Sequence, residues 1–134
     1  MSPITNKAPF TANNVIYEIK DGIVYIQRLA RVQYVLDNFK KTIEARLNYT
    51  EGHSFPVIIF GQEMISMDKA SRDFLSGDGA KNTLSRAFVV EKEQGKLQLN
   101  FFIETNKQPV PTKIFNDLES AIEWSKQFRG EFIK

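Results

Sequence analysis

The stretch from Ser66 to Arg72, "SMDKASR", places two hydroxyls, a carboxylate and two cations within about two turns of a helix. Three chemistries suit such a set. A serine can accept a phosphoryl group. Lys69 and Arg72, beside the free amides of a helix start, can hold an anion. Asp68 can cap the helix by accepting from those same amides. The third competes with the second, because Asp68 already supplies negative charge there. Ser66, Asp68, Lys69, Ser71 and Arg72 are therefore taken together as a candidate interaction loop.

The rest of the chain offers less. His53 is the single histidine and cysteine is absent, so no thiolate or histidine-rich metal site can be assembled. "SGDG" at 76–79 lacks the acidic spacing of a calcium loop and reads as a helix-ending turn. There is no Gly-x-Ser-x-Gly elbow and no phosphate-cradling glycine loop. Carboxylates are plentiful, yet no spacing singles out an acid–base pair. No catalytic residue, metal ligand or cofactor is assigned, and the expected protein is not an enzyme.

A chain of 134 residues with net charge +2 is expected to form one domain. The cations are scattered among acids, so nucleic acid is not an expected partner. No apolar run approaches the roughly 18 residues of a membrane span. The absence of cysteine suits a reducing compartment, and a cytoplasmic location is expected. "MSPITNKAPFTANN" has no signal-peptide pattern. Residues 1–14 are expected as a flexible leader and 15–134 as the domain.

The elements follow from pattern. "NVIYEIK" and "GIVYIQRL" read as strands joined at Asp21-Gly22, a hairpin signal. Val35, Phe39, Ile43 and Leu47 recur at helical spacing, with Lys40, Lys41, Glu44 and Arg46 turned elsewhere and Gly52 as the stop. "FPVIIFG" and "AFVVE" are buried strands and "TKIF" is another, entered past Pro109 and Pro111. "MDKASRDFLSG" is a short helix capped by Asp68. "NDLESAIEWSKQF" is a helix with an Asn116/Glu119 capping box and Leu118, Ala121, Ile122, Ser125 and Phe128 on its inner face. In "GKLQLNFFIETNK", Leu97, Leu99, Phe101 and Ile103 alternate as in a strand, whereas Leu99, Phe102 and Ile103 fit a helix. The local pattern leans to strand.

This order, with "DGIVYIQ", "EARL", "FPVIIF" leading into "SMDKASRDFL", "AKNTLSRAFVV", "LNFFIETNKQPVPTKIF" and "DLESAIEWSKQF", resembles the STAS domain family. The likeness is to bacterial anti-sigma-factor antagonists and, more closely, to small STAS-like proteins of unknown function, over residues 15–128. It implies an α/β fold with an N-terminal β-hairpin, a mostly parallel central sheet and about four helices. It makes the segment around 95–107 a helix, because the strand order needs a crossover there. In antagonists the loop before the second helix carries an Asp followed by a phosphorylated Ser or Thr. Asp68 matches that Asp, but Lys69 and Ala70 occupy the hydroxyl positions. The resemblance thus implies a non-enzymatic regulatory or protein-interaction module without the usual phosphoacceptor, with a protein partner. Separately, a sheet with an N-terminal hairpin leaves edge strands, and pairing of an exposed edge across a two-fold axis predicts a homodimer. The alternative is a small-molecule or lipid-binding module with an apolar cleft between sheet and helices, as in CRAL-TRIO folds, for which "NFFIE", Trp124 and Phe128 are candidate lining.

Overall fold

The computed structural model of the chain describes residues 4–30, 35–63 and 67–130. Six strands form one sheet whose spatial order is the chain order: β1 (Lys7–Ala12), β2 (Val15–Lys20), β3 (Ile23–Arg28), β4 (Phe55–Gly61), β5 (Thr83–Val89) and β6 (Thr112–Phe115). The first three pair antiparallel, and β3 to β6 pair parallel. Helices α1 (Leu36–Tyr49), α2 (Lys69–Leu75) and α3 (Glu93–Thr105) make the crossovers between the parallel strands. Successive crossovers of one hand, stepping one way along a sheet, put their helices on one face. α4 (Leu118–Ser125) follows β6, is not a crossover, and covers the opposite face through Ala121 against Ile23, Ile58 and Ala87. The fold is α/β with a hairpin start, as expected.

Lys7–Ala12 lies inside the stretch expected as a leader and is instead an edge strand. The signal was present in Asn13-Asn14. Both take positive φ, and Ala12 pairs with Val15 across them, a two-residue hairpin turn. Asp21 and Gly22 repeat the device between Lys20 and Ile23. Tyr49 of α1 fastens β1: its hydroxyl donates within reach of the Lys7 and Ala8 carbonyls (2.9 and 2.7 Å), and its ring stacks on Phe10.

One open segment is decided and two further expectations are corrected. The ambiguous segment is helix α3, against the local alternation and in line with the family order. The α4 cap is Asp117, not Asn116, with its carboxylate accepting from the Ser120 N–H at 2.7 Å and the Ser120 hydroxyl at 3.0 Å. Arg46 does not face solvent: it lies on the buried side of α1 with Phe39 and Tyr49.

Candidate functional site

Asp68 caps α2 as expected, accepting from the Ser71 N–H at 2.9 Å. Hydrogen bonding from Ser71 holds its carboxyl below the ordinary carboxylate range, with Arg72 adding to the effect. Lys69 pairs with Asp73 one turn on, at 2.7 Å, and Asp73 also accepts from Asn106 at 2.9 Å. Arg72 donates back to the Met67 carbonyl at 3.0 Å and lays its guanidinium 5.0 Å from the centre of the Phe101 ring. Ser71 is fully buried, so its hydroxyl is closed to a partner unless the helix opens. Ser66 lies outside the described residues. Among the five expected residues, the structure therefore brings Asp68, Lys69, Ser71 and Arg72 together on α2, with α3 as their neighbour.

That neighbour contributes what the sequence did not disclose. Leu97 and Phe101 stand one turn apart on α3, 62% and 53% exposed. The helix buries Gly95, Leu99 and Phe102 instead. The exposed pair and the guanidinium of Arg72 form one surface spanning α2 and α3.

A second feature lies inside. Between α1, α2 and the sheet is a cavity of about 60 Å³, lined by Arg28, Arg46 and Arg86 among apolar side chains that include Phe39, Leu75 and Phe88. Arg46 donates to the carbonyls of Gly79 (3.3 Å) and Lys81 (2.9 Å). Arg86 donates to the Leu75 carbonyl at the end of α2 (2.9 Å) and to the Gln108 side chain (2.8 Å). Both are almost wholly buried, 2% and 4% exposed. Burial pulls each guanidinium down to about 10, and for Arg86 the nearby Arg46 charge adds to the fall. Both stay charged at neutral pH. Sequence reading missed Arg86, although a lone cation inside the apolar run "LSRAFVV" was the available signal. Arg46 follows Phe39 and Ile43 on the same helical stripe, which was its signal.

The stretch "NFFIE" (100–104), Trp124 and Phe128 are the candidate lining of one cleft in the alternative expectation. Phe102 of α3 packs with Phe39 and Phe88, whereas Trp124 packs against Phe115 and Phe128 beside α4 on the other face. They cannot line one site. Among the described residues, no group of metal-ligating side chains assembles and no helix is long and apolar enough to cross a membrane.

Comparison with known proteins bears on the fold. A crystal structure of an uncharacterised protein of the DUF3478 family from Shewanella loihica PV-4, described as having a SpoIIAA-like fold, superposes with a TM-score of 0.52. It is 11% identical, and the match covers 93% of this chain and 98% of that one. The fold is accordingly SpoIIAA-like, which is the STAS-like architecture. No curated protein matches the sequence. The family model described as "Domain of unknown function (DUF7793)" matches residues 17–129, from the second strand through the last helical turn, and the chain belongs to that family.

Proposed function

We propose that the protein is a non-enzymatic STAS-like interaction module that docks a protein partner on the α2–α3 surface, in the cytoplasm. The observation that carries this reading is the pair Leu97 and Phe101, exposed beside Arg72. Two large apolar side chains at helical spacing beside a cation suit a partner whose contact surface is apolar with an acidic rim. The loop acts here as a fixed contact and not as a phosphorylation switch. Lys69 and Ala70 replace the hydroxyls, and the Ser71 hydroxyl is buried in α2.

Self-association through a sheet edge, the other expected arrangement, is served less well. β1 contains Pro9 and loses register between Lys7 and Phe10, and β6 is preceded by Pro109 and Pro111. Proline and bulges are the features that keep edges from pairing.

A photo-crosslinking residue at position 101, compared with one at Lys113 on β6, tests the reading in living cells. The expected result is one discrete heteromeric product from position 101, lost when Leu97→Ser is added. Equal products from both positions, or only a self-crosslink, would count against the α2–α3 surface.

A further inference from the structure

The first turn of α3 is weak by composition. Its residues are Glu93, Gln94, Gly95 and Lys96, none with an apolar side chain, and Lys92 at the N-cap makes no side-chain cap bond. The first side chain that the helix buries is Leu99. Leu97, half of the exposed pair, stands before that point. Glu63, just past the end of β4, reaches this turn from outside. Its Oε2 accepts from the N–H groups of Glu91 (3.3 Å) and Lys92 (3.2 Å), the two residues that lead into α3. Its Oε1 lies over Gly95, which is buried, and the Cβ of any other residue there would collide with it. A carboxylate in that place also faces the positive end of the helix. Glu63 is itself delivered firmly. Gly61 has φ +98° and leaves no room for a Cβ against the Arg28 backbone. Gln62 then exchanges two bonds with Arg28: its N–H donates to the Arg28 carbonyl at 2.9 Å, and its carbonyl accepts from the Arg28 Nε at 3.1 Å.

We infer that Glu63 is the positioning residue for the start of α3, with Gly95 as its socket, and that this clamp sets how Leu97 is presented. Glycine weakens a helix interior relative to alanine. Here the missing side chain admits a carboxylate whose two charge-assisted bonds fix the crossover between β5 and the helix. The chain runs on from Glu63 to Asp68, the cap of α2, so residues of one connection hold the starts of both helices. The clamp is a property of the free chain; its part in presenting Leu97 rests on the α2–α3 docking reading.

Amide hydrogen exchange of the full chain, followed residue by residue by NMR, tests the clamp without a partner. Glu63→Ala should speed exchange at Glu91, Lys92 and the first turn of α3 about tenfold. The amides of Phe102 and β5 should stay within about twofold of wild type. Glu63→Gln keeps an acceptor oxygen and should stay within about threefold at the same amides. Gly95→Ala ordinarily strengthens a helix; here it should speed exchange as Glu63→Ala does. Added to Glu63→Ala it should contribute less than about twofold, because Val90 can turn its methyl into the vacated space. No rise on Glu63→Ala, or an equal rise throughout the chain, overturns the clamp. An undiminished effect of Gly95→Ala in that background assigns the clash to Val90, whose Cγ1 lies 2.7 Å from the same Cβ position, and overturns the socket. The crosslink from position 101 should lose at least about threefold in yield on Glu63→Ala and recover with Glu63→Gln. An unchanged yield beside the expected exchange pattern overturns the link to presentation. If wild type gives no product while exchange behaves as expected, the docking reading falls and the clamp stands.

Discussion

Arg86 and Ala87 are chain neighbours on β5 and face two different interiors. Ala87 joins Ile23, Tyr25, Ile58 and Ala121 in a closely filled layer under α4. Arg86 points the other way, toward α1, α2 and α3, into a layer that holds three arginines and open volume. That second layer is divided. One apolar cluster gathers around Phe88, Leu99 and Phe102, another around Tyr17, Tyr49 and Val57, and Ile59 touches both. Because strand side chains alternate, a single sheet can give one face to packing and leave the other room for polar groups.

The largest expected effect measures that difference directly. Ile58 and Ile59 are adjacent on β4 and point to opposite layers. Ile58→Ala should cost about 3 kcal/mol, since it empties volume in the filled layer. Ile59→Ala should cost about 1 kcal/mol, because the side chain is half-buried beside space that already exists. Urea denaturation of both variants checks this. Equal costs would mean that the two layers are equally packed, and the comparison would fail.

A smaller effect sharpens it. α4 is the helix that closes the filled layer, so its start should matter. Asp117→Ala should lower stability by about 1 kcal/mol, whereas Asn116→Ala should stay within about 0.5 kcal/mol of wild type. A larger loss at Asn116 would reinstate the capping box expected from sequence.

The smallest effect belongs to α2, on the open side. Asp68→Asn should be silent at neutral pH, because asparagine caps about as well as aspartate. The Asp68 carboxyl is held below its ordinary value of 3.8, so its contribution is complete above that pH and is lost as pH falls through the lower folded value. Asparagine does not titrate, so its cap is unchanged by acid. Its thermal midpoint should therefore fall less steeply than wild type on acidification below about pH 4. Parallel acid profiles would show that the Asp68 charge contributes nothing to stability.

Much of the frame could be read from residue patterns, and the exceptions have physical causes. The buried strands announced themselves because "FPVIIFG" and "AFVV" are apolar on both faces. Helix α3 misled because Leu97 and Phe101 supply half of the apparent strand alternation, and these are the two residues left on the surface. The residues that obscured the helix are thus the exposed pair beside Arg72. Strand β1 was missed because "KAPFTA" is mostly exposed and carries a proline, so its register comes from turns and from Tyr49. Within the expected loop, Asp68 was legible as a cap, since capping is local chemistry. Arg46 and Arg86 were not, because a charge is assumed to face water until tertiary structure supplies carbonyls to receive it.

The sheet is laid out in the order in which a ribosome would deliver it. β1, β2 and β3 close over two-residue turns, so a nascent chain can form a three-stranded edge before α1 has emerged. Each later strand then meets a template already in place and never has to insert between two existing strands. The hairpins close over two residues, whereas each parallel strand arrives through one helical crossover, and these longer closures are the slower steps. The growing edge is also the exposed one throughout synthesis. It becomes guarded only when Pro109 and Pro111 bring in β6, so a chain stalled before that point would present β5 as an unprotected surface for aggregation.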